Sequence, residues 1–108
     1  MEAVQSLKEL QDTIDRNSLL LVYMSAEHCG VCSVISPRLE SLVEKYSSLK
    51  AIKVQADILP AVSAALGVFT IPCILVYIEG KEAVRQARYI HLEELEQQLD
   101  RYHQLLNS

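Results

Sequence analysis

The tightest constraint on this chain is where Cys29-Gly30-Val31-Cys32 falls. Before it lies an apolar run, Leu19 to Met24. After it comes an amphipathic stretch, Val31 to Tyr46, with Val31, Val34, Ile35, Leu39, Leu42, Val43 and Tyr46 recurring at helical spacing. A run apolar on both faces suits a central strand of a parallel sheet. The sequence therefore predicts a strand, a loop through Ser25-Ala26-Glu27-His28, and a helix from about Gly30 to Tyr46, with two sulfurs where the helix begins. Pro37 lies inside that helix, where it removes one backbone donor and favours a kink.

The remaining elements fall into place around this unit. Val4, Leu7, Leu10 and Ile14 share one helical face over residues 2–16. Ala51 to Ala56 alternates, with Ile52 and Val54 inward and Lys53 and Gln55 on the other face. It reads as a strand parallel to the first, because a helix crosses between them. Asp57 is the expected cap of a short helix through Leu66, stopped by Gly67. Val68 to Pro72 is a loop, and Cys73 to Ile78 a second apolar strand. Glu79-Gly80-Lys81 turns the chain back into an antiparallel strand, Glu82 to Tyr89, whose Arg85 and Arg88 suit an exposed edge. The last helix runs from about Leu92 to Leu106 on Leu92, Leu95, Leu99, Tyr102 and Leu106. His91 opens it, His103 falls on its solvated face, and its acidic start and basic end match the helix dipole. The order α-β-α-β-α-β-β-α predicts an α/β fold: a four-stranded mixed sheet with helices on both faces, one domain over residues 1–108. The sulfur-bearing turn falls at the carboxyl end of a strand, where open α/β sheets present their ligand sites.

Composition narrows the function. The net charge is −4 and no basic cluster occurs, so neither nucleic acid nor an anionic membrane is an expected partner. The apolar runs are far too short to span a bilayer. The segment Met1 to Glu9 is acidic and polar, not a basic stretch followed by an apolar one; no signal peptide is expected, and the cytoplasm is the expected location. In that compartment three cysteines suggest catalysis or metal binding more than structural disulfides.

Two cysteines so spaced at a helix start can bond to each other. The first lies near free backbone N–H groups and the positive helix end. Only a thiolate attacks a disulfide. The dipole contributes about 0.3–1 kcal/mol, less than a tenfold shift in thiolate fraction, so a larger effect requires a direct hydrogen bond to the sulfur, with the backbone N–H of Cys32 as the candidate donor. Cys29 is then the exposed nucleophile and Cys32 the resolving thiol. Two alternatives stand beside this. Free cysteines often pack as inert small hydrophobes. A metal site is the other, although zinc takes four ligands and no second Cys-x-x-Cys exists; Cys73 and a histidine would have to complete the set.

Taken together, these residues resemble the thioredoxin-like family along almost the whole chain. Ala26 to Cys32 resembles the family's active-site segment. Pro37 stands five residues after the second cysteine, like the family's kinking proline, and Thr70-Ile71-Pro72 resembles the segment with its cis-proline. The first short strand of full thioredoxins is not evident, and the chain is expected to begin at the first helix. The resemblance implies that Cys29 attacks and Cys32 resolves. It implies a cis Pro72 beside the sulfurs that also keeps metals off them, and an Ile71 whose backbone pairs with substrate. Lys53 matches a lysine that influences the dithiol's titration. Val31, Phe69, Ile71 and Pro72 are the expected docking surface. Substrates would be protein disulfides, with a disulfide reductase or a small thiol for recharging and no cofactor.

Departures from the pattern are informative. His28 replaces an aromatic residue, and when protonated it can favour the Cys29 thiolate. Val31 replaces the proline between the cysteines, and Ser25 a tryptophan. Tyr23 replaces the buried acid that assists the resolving cysteine, and a phenol is a poor base at neutral pH. Cys73 directly follows Pro72 and is expected near the dithiol, as an inert strand residue, an alternative disulfide partner or a metal ligand. The competing function is a metal, iron–sulfur or adaptor module with little turnover.

Overall fold

The computed structural model describes residues 1–107. A five-stranded mixed sheet runs in the order β1-β3-β2-β4-β5. The strands are β1 (Glu2–Ala3), β2 (Leu19–Ser25), β3 (Lys50–Gln55), β4 (Cys73–Ile78) and β5 (Lys81–Ala87). The helices are α1 (Leu7–Arg16), α2 (Gly30–Val43), α3 (Pro60–Leu66) and α4 (Leu92–Leu106). β2 pairs parallel with β3 on one side and antiparallel with β4 on the other. The central strands β2 and β4 are buried almost throughout, which explains their unbroken apolar sequence.

Strand alternation divides the core in two. Leu19, Leu21, Tyr23, Ile74 and Val76 face α2 and α4, and pack with Ile35, Leu39, Leu42, Leu95 and Leu99. Leu20, Val22, Met24, Cys73, Leu75 and Tyr77 face the other way, with Leu10 of α1 and Val62 of α3. Helices α2 and α4 thus cover one face of the sheet, and α1 and α3 the other.

Several expected boundaries move. The sheet has five strands rather than four, because Glu2 and Ala3 pair with Ile52 and Lys53 at the edge of β3. Both residues are exposed, so no apolar pattern marked them. α1 starts at Leu7, with the Ser6 hydroxyl accepting from the Glu9 N–H. α2 ends at Val43, and Tyr46, beyond it, is still buried against the same core. α3 begins at Pro60 after Leu59, not at an Asp57 cap; proline's fixed φ suits the first helical turn. Arg85 is more than an edge charge: its guanidinium pairs with Glu82 and donates to the carbonyls of Leu66 and Gly67, closing the end of α3. His103 packs its ring 5.5 Å from that of Tyr46 instead of lying free on α4.

Burial gives the fold an alkaline limit. Tyr23, Tyr46 and Tyr77 are 1%, 6% and 7% exposed. Burial raises the pKa of all three hydroxyls, and Asp100, which accepts from Tyr46 at 2.6 Å, raises that one further. Below pH ~10 both folded and unfolded chains keep these protons; above it the unfolded chain releases them first. Stability is therefore expected to fall as pH rises past ~10, by about 1.4 kcal/mol per pH unit for each tyrosine still protonated when folded. Urea midpoints measured between pH 8 and pH 11 check this; a flat profile contradicts it.

Candidate active site

The register places Met24 of β2, Cys73 of β4 and Ala87 of β5 in one row across the sheet. Three loops meet that row at the same end: Ser25 to Cys29, Phe69 to Pro72, and Arg88 to Tyr89. The dithiol and the proline loop are thereby brought to one corner by strand pairing alone.

His28 adopts φ 61°, a left-handed conformation in which histidine is among the more tolerated residues. The chain thus turns out of its loop and delivers Cys29 as the N-cap of α2. Cys29 and Cys32 are bonded as a disulfide, with Cα atoms 5.2 Å apart, inside the range such a bond requires. The Cys32 N–H donates to Cys29 Sγ at 3.2 Å, the bond anticipated from the helix start. Cys29 is half-buried, and Cys32 is 3% exposed. The first cysteine is thus partly open to solvent, and the second is almost closed off from it.

Behind Cys32 lies a network that the sequence did not disclose. The Tyr23 hydroxyl donates to the Cys32 carbonyl at 3.1 Å. Ser36 Oγ stands 2.7 Å from the same carbonyl and 3.1 Å from Tyr23 Oη. Its spacing of four residues from Cys32 is the signal that could have found it, since serine hydroxyls bond back to the carbonyl one turn earlier. Burial raises the pKa of Tyr23, and the Ser36 hydrogen bond partly offsets the rise. At neutral pH this phenol holds its proton and organises the helix start.

The Ile71–Pro72 bond is cis. Pro72 is buried, Ile71 half-buried, and Val31 and Phe69 are exposed, so the apolar rim consists of Val31, Phe69 and part of Ile71, with Pro72 beneath it. Lys53 pairs in register with Tyr23, on the same sheet face, and is exposed. Its side chain makes no hydrogen bond or ion pair among the described residues.

Cys73 is the buried strand residue that was one of its expected readings. It is fully buried, on the sheet face opposite Tyr23, within the cluster that includes Met24 and Leu75. Its side chain lies in the half of the core with Met24 and Val62, whereas Tyr23, whose hydroxyl bonds to the Cys32 carbonyl, lies in the other half. Cys73 is a free thiol while Cys29 and Cys32 are bonded to each other, and among the described residues no group of three histidine, cysteine or acidic side chains could hold a metal. Burial raises its thiol pKa. Iodoacetamide on the reduced, folded protein is expected to modify Cys29 quickly and Cys73 only after unfolding. Rapid labelling of Cys73 in the folded state contradicts this placement.

A sheet of this order, with a cysteine pair at the mouth of a helix and a cis-proline loop at the same corner, defines a dithiol–disulfide protein of the thioredoxin fold. The thioredoxin family model matches residues 2–101, and the chain belongs to that family. Its relatives include a thioredoxin-like protein, YdfQ, of Bacillus subtilis, 32% identical over 97% of this chain and 94% of that one. Thioredoxin H8 of Arabidopsis thaliana is 34% identical over 91% of this chain and 64% of that longer protein. Thioredoxin of Plasmodium falciparum superposes with a TM-score of 0.86 at 27% identity, covering 94% of this chain and 99% of that one. Thioredoxins are disulfide oxidoreductases, and this chain carries the cysteine pair that such chemistry uses. Among the described residues no helix is long and apolar enough to cross a membrane.

Proposed function

We propose that the chain reduces disulfide bonds of other proteins in the cytoplasm, with Cys29 as nucleophile and Cys32 as resolving thiol. The observation that carries this is the pairing of a reachable Cys29, whose sulfur accepts a backbone hydrogen bond, with a shielded Cys32 one turn inward. In the reduced protein the Cys29 thiolate attacks one sulfur of the substrate disulfide, and the other sulfur leaves as a thiolate and takes up a proton. A mixed disulfide joins Cys29 to the substrate. Cys32 then loses its proton and attacks Cys29 Sγ, and the second substrate sulfur departs. Two electrons pass to the substrate, and Cys29 and Cys32 end as the disulfide.

The chemistry needs no bound cofactor, but the dithiol must be recharged by a disulfide reductase or a small thiol. Val31, Phe69 and Ile71 supply the apolar docking rim, and the Ile71 backbone next to Pro72 offers the groups along which an extended substrate can lie. His28, exposed immediately before Cys29, and Lys53, beside Tyr23, are the side chains positioned to modulate the pair. The alternative of a metal or iron–sulfur holder loses its third sulfur, because Cys73 faces the other half of the core.

Equilibration in dithiol/disulfide buffers of graded potential, followed by alkylation and mass measurement, tests the assignment. Two alkyl groups, on Cys29 and Cys32, should appear and disappear together. A pair that stays locked in one state across the whole range overturns the assignment.

A further inference from the structure

The proline loop has a neighbour whose chemistry differs from the apolar rim. Directly after β5, the Arg88 N–H donates to the Pro72 carbonyl at 2.7 Å. The next N–H, of Tyr89, reaches back to the Ala87 carbonyl at 2.8 Å, so Arg88 is the centre of a three-residue turn. Its φ is 69°, a region where a long side chain is uncommon and glycine is the usual occupant. An arginine held in this conformation by two backbone hydrogen bonds, one of them to the proline loop, asks for a reason beyond folding. Its side chain is exposed and makes no ion pair among the described residues. Its Cζ lies 5.4 Å from the centroid of the Tyr89 ring, which is itself 69% exposed. The ring thus supports the guanidinium by a cation–π contact while both side chains stay exposed.

We propose that Arg88, braced by Tyr89, is a specificity-determining residue that selects disulfide substrates whose flanking residues carry carboxylates. This rests on the oxidoreductase function proposed above. A substrate segment lying along Ile71 and Pro72 passes the turn that is bonded to Pro72, and a carboxylate there meets a planar, permanently charged donor with no competing acid on the turn. Glu27, the acid in the loop preceding Cys29, is exposed and would act in the opposite sense. The preference is therefore assigned to Arg88 and not to the net field of an acidic protein.

Three cyclic peptides with the same disulfide, flanked by glutamates, glutamines or lysines, test this by kcat/KM. The wild-type protein should prefer glutamate over lysine by roughly tenfold at low salt, about threefold per charge step as exposed ion pairs deliver, with glutamine between. The ratio should narrow when ionic strength rises from about 20 to 200 mM. Arg88→Glu should invert it, and Arg88→Gly, which suits the turn's backbone, should bring it to unity or below. Because each ratio is internal to one protein, variant stability does not enter it, and the wild-type ratio and its salt dependence need no variant. Equal rates for the three peptides, or an unchanged ratio in both variants, overturn the role of Arg88 while leaving the oxidoreductase intact. Failure to reduce any peptide overturns the oxidoreductase reading and the selectivity with it.

Discussion

Cys29→Ser is expected to abolish disulfide reduction, a loss on the order of 10³-fold or more, because a hydroxyl, unlike a thiolate, neither attacks a disulfide sulfur at neutral pH nor can end the exchange as a disulfide. Cys32→Ser should behave differently. Its Cys29 still attacks, but nothing behind it completes the exchange, so the variant should accumulate bound to its substrate through one disulfide. The asymmetry follows from burial: Cys29 is half-buried, whereas Cys32 is 3% exposed and bonded to Cys29 in the oxidised state. Non-reducing electrophoresis after mixing each variant with a disulfide-bonded protein distinguishes them. Adducts with Cys32→Ser and none with Cys29→Ser fit the assigned roles; the reverse pattern exchanges them.

The second large effect is on pH. Resolution requires Cys32 to lose a proton in a buried place, and the polar side chains assembled there are a phenol and a serine. Burial holds the Tyr23 hydroxyl above its ordinary pKa, so between pH 6 and pH 9 it is a donor and not a base. The proton must pass to solvent, and the resolution rate should rise about tenfold per pH unit across that window until Cys32 ionises. Single-turnover decay of a preformed mixed disulfide measures this. Tyr23→Phe should keep the slope and, at pH 7, stay within a few-fold of the wild-type rate. It should cost about 1 kcal/mol of stability, since the Cys32 carbonyl retains Ser36 at 2.7 Å. A flat profile, or a tenfold drop in Tyr23→Phe, would assign Tyr23 a part in proton transfer.

The parts of the molecule legible in the sequence were those set by long periodic burial. α4 runs from Leu92 to Leu106 as its apolar face indicated, and β2 and β4 are the two runs apolar on both sides. The cysteine pair at the start of α2 was legible because strand, turn and helix each left an independent mark. Features resting on two or three residues were not. β1 is two exposed residues recruited by the free edge of β3. Arg88 occupies a left-handed turn without the glycine that usually announces one, so it passed for part of a strand. Cys73 was legible as a buried strand residue from the apolar run it opens, but which half of the core receives it depends on the phase of the pleat, and an unbroken apolar strand does not reveal that phase.

The exchange itself can be followed in a single turnover, with fully reduced protein mixed with an equimolar disulfide-bonded protein, quenched in acid, alkylated and weighed. The substrate should gain two thiols while this chain loses two, at Cys29 and Cys32, with Cys73 still alkylated once the quenched chain is unfolded. A substrate that keeps its disulfide, or a chain that spends Cys73 in the transfer, contradicts the assignment of function to this corner of the fold.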